Sequence, residues 1–225
     1  MIARTLLAVL LAAGGAAAAD WVDLFDGKTL NGWSVHSGTA TFTVENGEIV
    51  GTAVLGSPNT FLCTNKEYGD FILEFEVKTD PELNSGVQIR SQIAREPITI
   101  TVEVDGRQVE RKIPAGRVYG YQVEIATAAS GTSGNVYDEA RRARFLDDFT
   151  NRPAARAAFK DGEWNKYRVE CRGDSIKTWV NGVPAADFRD SMTLRGIIGL
   201  QVHQIPKDRF KPYKVRWRNI RIREL

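Results

Sequence analysis

The chain has 225 residues, 43% of them hydrophobic, and its 30 basic and 28 acidic side chains give a formal net charge of +2. This length fits one large domain with an ordinary buried core. Basic and acidic residues are interleaved without the basic patch that a nucleic-acid-binding protein carries, which argues against a nucleic-acid partner.

The N-terminus has the pattern of a secretory signal peptide. Arg4 precedes an apolar run over residues 6–13, and the small residues 17–19 offer a cleavage site of the A-x-A kind. The apolar run is far shorter than the roughly 20 residues that span a bilayer, which argues against a membrane span. No Cys lies near the cleavage site to carry a lipid anchor. We therefore expect residues 1–19 to be removed and the mature domain, residues 20–225, to be periplasmic or secreted.

Short runs of alternating apolar and polar residues follow, separated by turn sequences such as Asn46-Gly47 and Asn181-Gly182. The runs predict about a dozen strands. They include residues 59–64, 71–79, 86–93, 118–125, 166–172, 175–180, 197–204 and 213–223. Helical periodicity is almost absent, and parallel strands would need connecting helices for which the chain has no room. The pattern predicts an all-β sandwich or jelly roll in a single domain.

Two segments interrupt the strand pattern. Residues 94–117 predict an inserted hairpin with its turn at Asp105-Gly106. Residues 133–160 form a lid-like excursion, in which residues 138–149 are compatible with a short helix. Long excursions between sheet strands often contribute to binding sites.

Four of the predicted strands alternate apolar residues with long polar ones. Because successive side chains of a strand point to opposite faces, the apolar residues can share one core. These apolar residues are Leu73, Phe75, Val77, Val87, Ile89, Tyr121, Val123, Ile125, Leu200 and Val202. The opposite face then carries Glu74, Glu76, Gln88, Arg90, Gln122, Glu124, Gln201 and His203. If the four strands are neighbours, we expect this polar set to meet in one place.

The polar set contains groups suited to proton transfer and to sugar binding. Arg90 is a permanent cation that can bind an anionic oxygen. Glu76 and Glu124 can ionise, pair with Arg90 or act as acid or base, and His203 can transfer protons near neutral pH. The amide side chains, which offer paired donors and acceptors to sugar hydroxyls, are Gln88, Gln122 and Gln201. Taken singly, a His or a Glu–Arg pair on a sheet is more often structural, so the functional interpretation depends on a shared face.

The two cysteines, Cys63 and Cys171, both lie in predicted strands. An exported protein can form disulfides, so a disulfide and a pair of buried free thiols both remain open. Their spacing lacks the paired close cysteines of a zinc motif.

Several longer segments form a recognisable series. They are W-V-D-L-F-D-G-K-T-L-N-G-W (Trp21–Trp33), Y-G-D-F-I-L-E-F-E (Tyr68–Glu76), N-S-G-V-Q-I-R-S (Asn84–Ser91), Y-Q-V-E-I (Tyr121–Ile125), S-G-N-V-Y-D-E-A-R-R (Ser133–Arg142), G-E-W-N-K-Y-R-V-E-C-R-G (Gly162–Gly173), V-N-G-V (Val180–Val183), and finally G-L-Q-V-H with V-R-W-R-N-I-R-I-R-E-L. In this order they resemble the 3-keto-disaccharide hydrolase domain family, and the likeness spans nearly all of the mature chain.

The resemblance implies a concanavalin- or LamG-like jelly-roll β-sandwich with its site on the concave sheet, in an exported bacterial protein. It implies an oxidised (3-keto) sugar as the substrate, cleaved by proton abstraction at C2, β-elimination and rehydration. His203 would be the general base, Glu124 its partner or the alternative base, and Arg90 the stabiliser of the enolate oxygen. The implied substrate-binding residues are Gln88, Gln122, Gln201, Glu76, Asn84, Tyr137, Arg141 and Arg142. This chain has Y-Q-V-E-I where Y-E-V-Q-I is also common in the family, which exchanges a carboxylate with an amide.

Two other functions fit a sandwich of this kind. A non-catalytic carbohydrate-binding module needs the glutamines but no acid–base pair, so the proton-transfer residues favour an enzyme. A laminarinase-like glycosidase would carry a close-spaced E-x-D-x-x-E strand motif, which this chain lacks. The sequence indicates no metal-ligating residues and leaves the cofactor unknown. A divalent cation such as calcium is compatible with a lectin-like sandwich, although no calcium-loop spacing is present.

Overall fold

The computed structural model describes residues 19–225, so the predicted signal peptide lies almost entirely outside the described residues. The described part contains sixteen strands and one short α-helix. In chain order they are β1 (Val22–Asp23), β2 (Trp33–His36), β3 (Thr41–Glu45), β4 (Glu48–Thr52), β5 (Thr60–Thr64), β6 (Phe71–Thr79), β7 (Ser85–Ile93), β8 (Ile98–Val104), β9 (Arg107–Ile113), β10 (Val118–Ile125), β11 (Val136–Glu139), α1 (Pro153–Arg156), β12 (Asn165–Arg172), β13 (Ser175–Val180), β14 (Val183–Arg189), β15 (Ile197–Val202) and β16 (Lys214–Glu224). No helix within residues 19–225 is long and apolar enough to cross a membrane.

Two antiparallel sheets make up the sandwich. The larger sheet has the order β14-β13-β12-β6-β16-β4-β3, with β1 added at β16. The smaller sheet has the order β11-β10-β7-β15-β5-β2, and β8 and β9 form a separate hairpin. Strands that are distant in sequence lie side by side, as in the pairing of β7 with β15. The predicted all-β jelly-roll sandwich is therefore confirmed.

The core lies between the two sheets and is built from the residues that strand alternation assigned to it. All ten predicted core residues are buried in one hydrophobic cluster. Phe75 stacks on Tyr167 with ring centroids 5.0 Å apart, and Trp217 of β16 is completely buried. Burial at about 25 cal/mol per Å² of apolar surface makes this interface the main source of stability.

The predicted single polar face is wrong for Glu74 and Glu76. Both belong to β6 of the larger sheet, whereas the glutamines belong to the smaller one. Glu74 accepts hydrogen bonds from Arg168 and Arg221 on neighbouring strands. Alternation determines which residues of one strand share a face, but it does not determine the sheet to which that strand belongs. The outward faces of β6 and β7 therefore lie on opposite sides of the sandwich.

Arg90 also departs from the predicted face, because β7 carries a bulge. The register between β15 and β7 shifts between Ile197 and Gly199, and Arg90 has a φ of 47°. Its side chain is completely buried and donates to the carbonyl oxygens of Gly69 and Gly173 at 2.8 and 2.6 Å. A third bond, of 2.8 Å, reaches a carboxylate oxygen of Asp70. Arg90 therefore links the segments around β6 and β12 at one end of the sandwich.

The two predicted excursions differ in outcome. Residues 94–117 contain the hairpin of β8 and β9. Residues 138–149, which were compatible with a short helix, form none: the stretch starts at the end of β11 and continues as turns, and the short helix of the excursion is α1 instead. Asp138 accepts hydrogen bonds from the Arg141 and Arg142 side chains, while Ala140 and Ala143 adopt positive φ values. A carboxylate that bonds residues three and four positions later favours a turn over helix continuation.

Cys63 and Cys171 are both free and buried. Cys171 belongs to the main core, whereas Cys63 belongs to a small cluster with Phe61 and Val118. Burial raises the pKa of the Cys171 thiol to about 12, and it raises that of Cys63 further. Both thiols are therefore unreactive at neutral pH.

The structural role of Arg90 makes a prediction about stability. We expect Arg90→Met to lower the free energy of unfolding by about 3 kcal/mol, because it removes three buried hydrogen bonds and leaves two carbonyl oxygens without partners. Urea denaturation measures this change. Arg95→Met, at an exposed arginine of the neighbouring loop, is the matched control and should stay close to the wild type. Equal midpoints for the two variants would contradict the role assigned to Arg90.

Candidate active site on the six-stranded sheet

Three buried glutamines meet on the outer face of the smaller sheet. Gln122 lies opposite Gln88 in the β10–β7 register. The Oε1 atom of Gln122 accepts hydrogen bonds of 2.8 Å from Nε2 of Gln88 and from Nε2 of Gln201. The Oε1 atom of Gln88 accepts a bond of 2.6 Å from Ser91. These bonds hold side chains from three adjacent strands in one orientation.

Glu124 follows Gln122 on the same face of β10 and is only 7% exposed. Its Oε1 atom accepts a hydrogen bond of 2.7 Å from Nδ2 of Asn84, and its Oε2 atom accepts one of 3.3 Å from Nε2 of Gln122. Burial raises the pKa of the Glu124 carboxyl, and the negative charge of Glu139 adds to this rise, while the two amide donors oppose it. Glu124 is thus a buried carboxyl group whose pKa lies above that of an exposed glutamate, chiefly because of burial.

Gly86 makes room for this network. It lies opposite Glu124 in the β10–β7 register, and a Cβ atom at this position would lie 2.5 Å from Cδ of Gln122. Any larger residue would push the Gln122 amide away from the positions that the other glutamines require. The sequence therefore needs glycine here for close approach rather than for an unusual φ.

Beside the network lies a cleft of about 370 Å³. It is lined by Glu82, Leu83, Asn84, His203, Gln204, Ile205, Pro206, Arg209 and Tyr213. Asn84 connects the two regions, because it lines the cleft and also donates to Glu124. The cleft is the place where a ligand can approach Glu124 through Asn84 and contact His203 directly.

His203 presents one ring nitrogen to the cleft as a base. Its Nδ1 atom lies 2.7 Å from the carbonyl oxygen of Gln204. A carbonyl oxygen can only accept a hydrogen bond, so Nδ1 carries the proton. In the neutral imidazole, Nε2 then has a free lone pair.

Tyr137 lies beside Gln122 across the β10–β11 pair, and burial raises the pKa of its hydroxyl group. The structure therefore brings most of the predicted site together. These residues are Asn84, Gln88, Gln122, Glu124, Tyr137, Gln201 and His203.

The predicted arginines and Glu76 lie elsewhere. Arg141 donates to Asp138 at 2.7 Å and lies over the Tyr121 ring. Arg142 pairs with Asp138 and Asp190. Arg90 is bonded at the sandwich end, and Glu76 pairs with Arg218 on the larger sheet. The prediction that these three arginines and Glu76 lie in the pocket is therefore wrong, because each of them binds a partner outside it.

Three polar residues near the network were missed. Asn59 donates to Glu139 at 3.3 Å and accepts a bond of 2.9 Å from the Gln204 amide. Glu139 also pairs with Arg117. Glu139 lies two residues after Tyr137 in β11, so alternation would have found it had this segment been identified as a strand.

Within residues 19–225, no group of three or more His, Cys, Asp and Glu side chains is arranged to hold a metal ion.

A family model described as the 3-keto-alpha-glucoside-1,2-lyase-like domain matches residues 20–223 of the chain. No curated protein gives a significant match.

Three solved structures share the fold. One is a Parabacteroides distasonis protein provisionally assigned as a glycosyl hydrolase, 18% identical, with a TM-score of 0.54 over 91% of this chain and 94% of that one. The second is the carbohydrate-binding module CBM66 from Bacillus subtilis, 15% identical, with a TM-score of 0.54 over 86% and 96%. The third is a Bacillus subtilis protein of unknown function with a galectin-like fold, 10% identical, with a TM-score of 0.60 over 93% and 96%.

The buried Glu124 predicts a pH-dependent effect on stability. Its folded pKa is raised above the ordinary value of 4.5, so the folded state holds the proton more tightly than the unfolded state. Stability is therefore lost as the pH rises from about 4.5 through the folded pKa. Glu124→Gln removes this loss, and its stability relative to the wild type should increase between pH 4 and pH 8.

Thermal melting at several pH values measures this difference. Glu96→Gln, at an exposed glutamate, is the control and should follow the wild type at every pH. A Glu124→Gln difference that stays constant with pH would show that burial does not perturb the carboxyl group.

Proposed function

Because the chain belongs to the 3-keto-alpha-glucoside-1,2-lyase-like domain family, we propose that it cleaves the glycosidic bond of 3-keto-glycosides or 3-keto-disaccharides after export from the cytoplasm. The observation that carries the proposal is the pairing of a base with a structured polar face. His203 lines the cleft, and its Nδ1 bond to the Gln204 carbonyl leaves Nε2 as the basic nitrogen; Asn84 joins that cleft to the buried Glu124.

The reaction begins with a ketone at C3 of the sugar. The ketone acidifies the hydrogen on C2, and a base removes this proton to give an enolate. The enolate electrons form the C1–C2 double bond as the bond from C1 to the glycosidic oxygen breaks, and the aglycone takes up a proton. Water then adds across the double bond, placing hydroxyl on C1 and a proton on C2. The products are the 3-keto sugar and the free aglycone.

The site residues divide these tasks. His203 Nε2 takes the C2 proton, since it is the free base of the cleft. Asn84 has a second N–H beyond the one it donates to Glu124, and this donor stabilises the enolate oxygen that Arg90 is too distant to reach. Glu124 keeps Asn84 oriented and acts as the alternative base. These roles differ from those in glycosidases that use two carboxylates and an oxocarbenium-like transition state.

The glutamines support the polar side of the site. Gln201 is completely buried, and its Oε1 atom has no hydrogen-bond partner among the described residues. A buried acceptor without a partner costs free energy, and a hydroxyl group of the sugar or a water molecule that reaches Oε1 relieves this cost. The Nε2 atom of Gln201 already donates to Oε1 of Gln122, which fixes the orientation of the Gln201 amide.

Product analysis tests the activity. A 3-keto-glucoside should release its aglycone, whereas the unoxidised parent should not, because only the ketone acidifies C2. In D₂O the sugar product should carry deuterium at C2, since hydration takes that proton from solvent. Binding of both glycosides without turnover would identify the protein as a carbohydrate-binding module instead. Release without deuterium at C2 would contradict elimination.

The role of His203 predicts a large loss in rate. His203→Gln should lower kcat at least 100-fold, because an amide cannot accept the C2 proton. The matched control is His36→Gln, which changes the other histidine of the chain and should keep kcat near the wild-type value. Melting temperatures of both variants confirm folding. A His203→Gln enzyme with unchanged kcat would remove His203 from the mechanism.

A further inference from the structure

The cleft beside the glutamine network has two chemically different halves. Asn84 and His203 form a polar half, which adjoins the buried amides. The other half has an apolar wall formed by Leu83, Ile205, Pro206 and the Tyr213 ring, with the polar Glu82, Gln204 and Arg209 around it. Ile205 and Tyr213 both pack against the main core, so this wall is held in place before a ligand binds.

The polar groups next to Ile205 and Tyr213 already have partners, whereas Arg209 lies exposed at the mouth of the cleft. The Tyr213 hydroxyl donates to Glu82, and the backbone carbonyl of Tyr213 accepts a bond of 2.9 Å from Ala53. The Gln204 carbonyl faces His203, and the Gln204 amide donates to Asn59. Sugar hydroxyls placed here would lose water without gaining equivalent hydrogen bonds, which disfavours a second sugar.

Exposed apolar residues lie in a loop that is bonded to two residues of the cleft. Val54 and Leu55 are 37% and 55% exposed and lie in the loop after β4. The loop is tied to the cleft at both ends, through the Ala53 bond to Tyr213 and the Asn59 bond to Gln204. A single exposed leucine is ordinary, but an exposed apolar pair in a loop tied to the cleft adds apolar surface near it. Arg209 supplies the charged group at the exposed mouth.

We propose that the apolar half of the cleft binds the leaving group and selects a planar aryl aglycone over a second sugar. This inference rests on the proposed function of the same site. The polar half holds the 3-keto sugar with C2 at His203, and the aglycone on C1 then lies against Ile205 and Tyr213. An aryloxide also leaves more easily than an alkoxide, so it departs as His203 takes the C2 proton and is protonated by solvent.

Competing substrates test the inference. An aryl 3-keto-glucoside and a 3-keto-disaccharide should differ in kcat/KM by at least tenfold in favour of the aryl compound. Ile205→Ser and Tyr213→Ser should each reduce this ratio at least threefold, because they remove apolar contact from the aglycone alone. Met192→Ser, which changes an exposed methionine absent from the cleft lining, is the matched control and should preserve the ratio.

Each outcome decides one of the two proposals. Turnover of both compounds with a ratio near or below one, or a ratio unchanged in both cleft variants, would overturn the aryl preference and leave the proposed function intact. Absence of turnover with either compound would overturn the proposed function, and the inference would fail with it. Using two cleft variants guards against the misfolding of one, and a ratio cancels any general loss of active protein.

Discussion

The arrangement of the site depends on one amide oxygen in the middle of the smaller sheet. Because Oε1 of Gln122 accepts from both Gln88 and Gln201, the nitrogen of that amide must face Glu124. The chain of bonds begins at Ser91, directly after the bulge that turns Arg90 inward. One backbone irregularity therefore has two effects: it provides a structural anchor at the sandwich end, and it supplies the first donor of the polar network. Buried networks are stable only when nearly every member is satisfied, which explains the dense amide composition.

Properties that depend on one strand could be predicted from the sequence, whereas properties that depend on neighbouring strands could not. Alternation identified the core face and the parity of Gln122, Glu124, Gln201 and His203, because side-chain direction is a local consequence of strand geometry. Pairing between strands that are distant in sequence decides sheet membership, and it places Glu76 on the opposite side of the molecule. The displacement of Arg90 required a bulge whose position is set jointly by β7 and β15. Because residues 138–149 were compatible with a short helix, β11 was not identified as a strand, and Glu139 was therefore missed.

The environment of Glu124 acts on its carboxyl group in two opposing ways. The donors from Asn84 and Gln122 stabilise the charged form, while removal from water destabilises it. The Asn84 donor therefore lowers the pKa of Glu124 while burial raises it. An ordinary structural carboxylate, such as Glu74 between Arg168 and Arg221, is instead held charged by cations.

The division of the cleft into polar and apolar halves follows from the same architecture. Amide side chains project from the strands in the middle of the sheet, whereas Ile205 and Tyr213 belong to the segment that leaves β15 and returns into β16. The boundary between the halves falls at His203, the first residue after β15. In the proposed reaction, a base at that boundary takes a proton from the sugar while the bond to the aglycone points along the apolar wall. The end of β15 and the change of polarity thus coincide at His203, the residue to which the proposal assigns proton transfer.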